Sequence, residues 1–185
     1  MPSDHRTFFP PKKMEEIPLI CKKILKKGVL VKWYIIGYGN EVIERIVCEN
    51  AEKEGVADEV VILGKQDNPY PYIKACDIYV QPSRYEGKSI TVREAQILCK
   101  PVIITNYPTA KSQIVDGVDG MIVPMDVDMC AQEMADFIRD KEKQERIVVY
   151  LKEHDYGNED EIEKIYQLCE CMHAYPSPTQ VLPKG

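Results

Sequence analysis

Two glutamates, Glu86 and Glu94, carry the clearest chemistry in this chain. They lie in the run Pro82-Ser83-Arg84-Tyr85-Glu86-Gly87-Lys88-Ser89-Ile90-Thr91-Val92-Arg93-Glu94-Ala95. A carboxylate accepts two hydrogen bonds at once, so it suits the vicinal hydroxyls of a ribose or a hexose. Glu86 stands in a loop of turn residues, with no helical partner and no capping role. Solvated loop glutamates are common, but a neighbouring anion site weighs toward function. Residues 89–92 open a helix, and the free amides and positive dipole end there fit a diphosphate. Glu94 has a competing structural role in the first turn of that helix. Thr91-Val92-Arg93-Glu94 matches a capping box, in which Glu94 bonds the Thr91 amide. Cap and ligand contact stand even on local grounds. Paired acids also serve glycosidases. A glutamate tied to a helix start suits hydroxyl binding better than proton transfer.

The surrounding elements put this run at the end of a sheet. Residues 77–81 read as a strand feeding the loop, and residues 91–99 as the helix after it. A helix is expected over 14–27, started late or kinked by Pro18 and stopped by Gly28. A strand follows at 29–36, then a helix at 41–54 ended by Gly55. A strand at 59–63 ends in Gly64, and a short helix at 70–75 follows Pro69. Strands at 101–105 and 121–123 precede a helix at 127–139 that Asp126 caps. A last helix is expected at 158–172. The alternation predicts an α/β fold: a doubly wound, mostly parallel sheet with helices on both faces. Such sheets take ligands at the carboxyl ends of their strands. The expected organisation is an N-terminal segment and helix at 1–28, a Rossmann-like domain at 29–173 and a disordered Pro-rich tail at 174–185.

Gly37-Tyr38-Gly39 follows a strand and invites a dinucleotide reading. Position 42 is Val42 rather than a third glycine, and the next strand ends Leu63-Gly64-Lys65 with no acid for a ribose. A lone GxG is weak, and a tight turn explains it as well. The Gly37 and Gly39 amides are still expected at the ligand-facing rim. Asp116-Gly117-Val118-Asp119-Gly120 reads as a turn. His5, His154 and His173 fall outside the sheet core. Tyr70, Tyr72, Tyr79 and Tyr107 read mainly as packing residues, and Tyr85 as a pocket-lining one.

The chain has 185 residues, 44% hydrophobic and 29% charged, with a net charge of −6. That suits one globular domain and argues against a nucleic-acid partner. No apolar run approaches the roughly 20 residues of a membrane span. No signal-peptide core follows Met1. These features point to a cytoplasmic protein, with peripheral membrane contact left open. The 7 cysteines form no CxxC pair. Cys21, Cys48, Cys76, Cys99 and Cys130 read as reduced thiols in apolar segments. Cys169, Cys171 and His173 lack a fourth ligand and the helical spacing to converge, so no metal site is expected.

An ordered set of motifs resembles one family. It comprises Tyr79-Val80-Gln81-Pro82-Ser83 with Glu86-Gly87, then Glu94-Ala95, then Lys100-Pro101-Val102-Ile103. It closes with Ile114-Val115-Asp116-Gly117, Gly120 and Val123-Pro124. This set is similar to the C-terminal, donor-binding domain of retaining GT-B glycosyltransferases, family 4, also called glycosyl transferases group 1. The resemblance covers about residues 29–139. It implies the Rossmann-like half of a GT-B fold and hexosyl transfer from a nucleotide sugar, with retention, to a glycan or lipid-linked acceptor. The nucleotide sugar is then the substrate, and neither a cofactor nor a metal is required. Glu86 would contact the donor sugar as the catalytic-site residue, and Glu94 the ribose. The amides of Gly87, Lys88, Ser89 and Ile90 would meet sugar and diphosphate. The loop from Gly64 and Lys65 to Asn68 would lie near the nucleobase.

The chain departs from the family pattern in three places. Lys88-Ser89 replaces a glycine-rich or aromatic pair. The family's opening Gly-Arg strand is absent, and Arg6-Thr7-Phe8-Phe9-Pro10-Pro11-Lys12-Lys13 stands there, with Lys12 or Lys13 in place of a phosphate-gripping lysine. Loss of that central strand leaves a seam unless residues 7–9 fill it. The acceptor domain has no counterpart. The alternative reading is therefore a non-catalytic or truncated Rossmann-like module that binds nucleotide sugar or pairs with a separate acceptor-domain chain.

Overall fold

A computed structural model describes residues 12–37 and 41–157. Gly39, residues 7–9, the expected helix at 158–172 and the tail lie outside the described residues. So do His5, Cys169, Cys171 and His173. The chain divides into two units, Met1–Asp155 and Tyr156–Gly185. Every element below belongs to the first.

A 3-10 turn at Met14–Glu16 leads into α1, Ile17–Lys26. Pro18 falls in the first turn, where its missing N–H has no intrahelical partner to lose, so it starts the helix rather than kinking it. Ile17, Ile20, Cys21 and Ile24 recur at helical spacing and form the buried stripe. β1 is Trp33–Ile36, shorter than the expected strand. Leu30 is 91% exposed, so the chain approaches β1 as coil. α2 spans Glu41–Glu54, and Gly55 ends it at a φ of 72°. β2 is Val60–Gly64, α3 is Tyr70–Ala75 and β3 is Tyr79–Gln81. α4 is Ile90–Ile97, β4 is Val102–Thr105 and β5 is Met121–Val123. α5, Val127–Arg139, is capped by Asp126, whose carboxylate accepts from the Asp128 and Met129 amides at 3.0 Å. α6, Lys141–Glu153, is an element the sequence pattern did not reveal.

The strands are parallel throughout the described ladders, with β1 paired to β2, and β4 between β3 and β5. α1 and α2 pack on the first pair through Ile17, Cys21, Val47 and Ala51, against Ile35 and Val60. α3 and α4 cover the second sheet through Ile73, Val92 and Ala95, against Val102 and Ile104. All of β4 is buried, which fits a central strand of a parallel sheet covered on both faces.

The sheet is not continuous among the described residues. No ladder joins β1 to β3, and a cavity of about 780 Å³ lies between them. Whether a seam remains there depends on residues 7–9, which lie outside the described residues.

Candidate functional site

The loop between β3 and α4 lies over the carboxyl ends of β3 and β4, and hydroxyl groups hold it there. The Ser83 amide donates to Thr105 Oγ1 at 2.8 Å, and Thr105 Oγ1 donates back to the Ser83 carbonyl. Ser83 Oγ then donates to Glu86 Oε1 at 3.0 Å. Thr109 Oγ1 donates to the Glu86 carbonyl. The half-buried Glu86 is thus fixed through both its side chain and its backbone by neutral donors.

Gln113 straps the rest of the loop. Its Oε1 accepts from the Ser89 amide at 2.7 Å, and its Nε2 donates to the Gly87 carbonyl at 2.8 Å. The same Nε2 donates to the Tyr107 hydroxyl at 2.9 Å. Beneath the loop, buried Gln81 gathers the hydroxyls. Its Oε1 accepts from Tyr79 at 3.0 Å and from Thr91 at 2.8 Å, and its Nε2 donates to Ser89 Oγ at 2.9 Å.

Ser89 is therefore the N-cap residue of α4 without capping it, because its hydroxyl is spent on Gln81 and Thr91. No side chain caps this helix end. The amides of Ile90, Thr91 and Val92 are left as the anion-facing donors of the first turn. The Ser89 amide, expected to be free, is taken by Gln113. Lys88 is exposed, and a Cβ added at Gly87 would meet nothing within 4 Å. The loop therefore has open space at its tip.

The capping box at Thr91 does not form. α4 begins at Ile90, so Glu94 lies in the second turn, beyond reach of the cap position. Glu94 Oε1 instead accepts from the Tyr70 hydroxyl at 2.9 Å. The local sequence pattern was satisfied in letter, but the helix starts one residue earlier.

The other rim belongs to β1 and β2. The Gly37 amide donates to the Gly64 carbonyl at 3.0 Å, with φ of 141° and 66° at the two glycines. Lys65 is exposed beside them. Gln66 folds back on the Leu63 carbonyl and accepts from the Tyr72 hydroxyl, and Asn68 accepts from the Tyr70 amide. Tyr70 thus begins α3 at the end of this loop and reaches Glu94 on α4. That bond links the two rims.

Both carboxylates bear on the phenols between them. Burial pushes the Tyr79 phenol up from its ordinary value, and the charges of Glu94 and Glu86 add to that push. Tyr107 is pushed up to about 12, first by burial and then by the charge of Glu86. The hydrogen bond to Glu94 and its charge raise the Tyr70 phenol. Tyr79 and Tyr107 pack as expected, whereas Tyr70, Tyr72 and Tyr85 are exposed.

An open cavity of about 710 Å³ adjoins the loop, with Lys13, Arg84, Tyr85, Tyr107 and Lys111 in its wall. Lys13 is buried and bound to Glu16 and to the Met125 carbonyl. Arg84 pairs with Glu15 and Glu16. Among the described residues, no group of three His, Cys, Asp or Glu side chains is placed to hold a metal. Residues the sequence did not single out are Gln81, Thr105, Thr109 and Gln113. Their one signal was polarity at positions flanked by apolar residues, at a strand end or just before Ile114-Val115.

Comparison with known proteins bears on the fold and the family. The chain is 30% identical over 80 residues to the lipopolysaccharide core biosynthesis mannosyltransferase LpsB of Rhizobium meliloti, covering 42% of this chain and 23% of that protein. The chain spans about a quarter of the length of the curated relatives it matches. The pneumococcal O-GlcNAc transferase GtfA, solved with UDP and GlcNAc, superposes with a TM-score of 0.73 at 19% identity over 89% of this chain and 34% of that one. Anabaena HepE, solved with UDP and glucose, gives 0.70 at 19% identity over 91% and 46%. These likenesses show the fold, a Rossmann-like half of the GT-B architecture. The model of the family described as glycosyl transferases group 1 matches residues 6–154, and the chain belongs to that family.

Proposed function

We propose that the chain is the donor-binding half of a retaining glycosyltransferase, taking a hexosyl group from a nucleotide sugar to a glycan or lipid-linked acceptor. The observation that carries this reading is the α4 N-terminus. Three amides there lack a side-chain cap and lie between a fixed loop glutamate, Glu86, and a helix glutamate, Glu94. Amides at a helix start take a diphosphate. In this reading Glu94 takes a ribose diol and Glu86 the sugar. Gly87 leaves room for close approach, with Lys88, Ser89 and Ile90 around the phosphates. Gly37, Gly64 and Lys65 would form the nucleotide rim, and Gly39, expected with them, lies outside the described residues. The donor is a substrate, and no cofactor is assigned. UDP in the structures of GtfA and HepE supports a uridine nucleotide as the first donor to test.

One observation favours binding without turnover. Lys13 pairs with Glu16 and the Met125 carbonyl, and Arg84 with Glu15 and Glu16. A module that binds donor and meets a separate acceptor-domain chain fits that arrangement. A structure with UDP bound tests the shared claim. Diphosphate density at the Ile90, Thr91 and Val92 amides is expected, and density confined elsewhere would contradict it.

A further inference from the structure

Two helices of this chain start on nearly the same backbone and treat their first amides differently. Asp126, the N-cap of α5, has φ −64° and ψ 132°, and its carboxylate takes the Asp128 and Met129 amides. Ser89, the N-cap of α4, has φ −77° and ψ 115°, and its hydroxyl takes no amide. Serine and aspartate are both favoured N-cap residues, and the extended backbone of each is the one an N-cap adopts. Neither residue type nor dihedral angle explains the difference.

The explanation lies under the loop. Ser89 Oγ accepts from Gln81 Nε2 at 2.9 Å and lies 3.0 Å from Thr91 Oγ1. Gln81 is 4% exposed at the carboxyl end of β3, where it pairs with Ile104 of β4. The Tyr79 and Thr91 hydroxyls both donate to its Oε1, so the carboxamide is held in one orientation. The Ser89 hydroxyl has a choice between this buried amide and the amides of α4. It takes the buried one. Thr91, in the first turn of α4, is drawn to the same carboxamide.

We propose that Gln81 is a positioning residue of the donor site. It holds the Ser89 hydroxyl beneath the loop, keeps the α4 start open to an anion, and forgoes the cap that would stabilise the helix. This rests on the reading of the Ile90, Thr91 and Val92 amides as the diphosphate site. An N-cap hydroxyl and a diphosphate oxygen compete for the same amides. With Gln81 in place, the diphosphate displaces no side chain. Without it, Ser89 turns onto the Thr91 and Val92 amides, as Asp126 does onto the matching amides of α5. Gln81, buried under the loop, acts through Ser89 rather than on the donor.

The test uses the full chain with Gln81→Met, Ser89→Ala and the two combined. Methionine keeps the length of glutamine and offers no amide. In the free chain, Gln81→Met should slow hydrogen exchange at the Thr91 and Val92 amides by about threefold or more. It should also weaken UDP by about threefold to thirtyfold, the worth of an N-cap that must first be broken. With Ser89→Ala already present there is no hydroxyl to turn. The same Gln81→Met change should then move both readings by less than about twofold. A merely loosened loop gives faster exchange, and the same loss of affinity whichever residue stands at 89. Either of those results, or unchanged exchange at both amides, would overturn the proposal. UDP bound by no version of the chain would sink the donor reading instead. The exchange rates would then still decide whether Gln81 holds Ser89 off the amides. Should Gln81→Met not fold, Gln81→Asn, whose amide stops one methylene short of Ser89, replaces it with the same expected readings.

Discussion

The Tyr70 hydroxyl donates to Glu94 Oε1 at 2.9 Å and so joins α3 to α4 across the mouth of the candidate site. A ribose diol would compete with Tyr70 for that carboxylate. Tyr70→Phe should therefore leave the fold intact and change donor affinity by no more than about fivefold, in the direction of tighter binding. Titration of the variant with UDP checks it.

The same pair sets a pH dependence. Glu94 disfavours the phenolate, so the Tyr70 phenol holds its proton to a higher pH than an ordinary tyrosine. Glu94→Gln removes the charge and should bring that phenol back down toward the ordinary range. Ultraviolet absorbance titration of Glu94→Gln against the unmodified chain reads this, with Tyr70→Phe identifying the group.

Gln113 carries three hydrogen bonds at 8% exposure. Gln113→Ala leaves the Ser89 amide and the Gly87 carbonyl without these partners, at a cost of about 1–3 kcal/mol. For a domain of this size, each kcal/mol is worth roughly 2–4 °C in Tm. Thermal unfolding should show the drop, and donor affinity should fall with it because the loop is no longer held.

Two glycines separate folding from binding. A Cβ at Gly120 would meet Ile114 Cδ1 at 2.9 Å and the Val102 carbonyl at 3.0 Å. Gly120→Ala should cost about 1–3 kcal/mol through overpacking. A Cβ at Gly87 meets nothing within 4 Å. Gly87→Ala should change stability by less than about 0.5 kcal/mol and still weaken donor binding. Urea midpoints and UDP-sugar titrations distinguish the two.

Tyr107 gives a second pH test. Its phenol is pushed from 10.0 to about 12, so the unfolded chain releases this proton first. The stability tied to it is complete below about pH 10 and is lost as pH rises toward 12. Tyr107→Phe should flatten that part of the stability profile, measured by urea unfolding at pH values on either side of 10.

The elements legible in the sequence were those whose signals are local. Gly55 and Pro69 bounded α2 and α3, and Asp126 capped α5 as read. α6 was not legible. It buries only Gln144, Ile147 and Leu151, too few apolar positions for its period to stand out among charges. β1 was overextended because Val29 and Leu30 look like strand residues, yet Leu30 has no partner strand and lies in solvent. Glu94 was half misread, since a capping box is a four-residue pattern and the true helix start is set by how Ser89 and Thr91 engage Gln81. Gln113 and Thr109 were invisible because they act across more than 20 positions, and no local pattern encodes that approach.

The most direct measurement is calorimetric titration of the chain, Glu86→Ala and Glu94→Ala with UDP and UDP-hexoses, repeated with GDP and ADP conjugates. Glu94→Ala should weaken nucleotide and nucleotide sugar alike by about tenfold or more, and Glu86→Ala should weaken only the sugar conjugate, with thermal unfolding of both variants unchanged. Wild-type affinity in both variants would contradict the placement of the donor between these two glutamates.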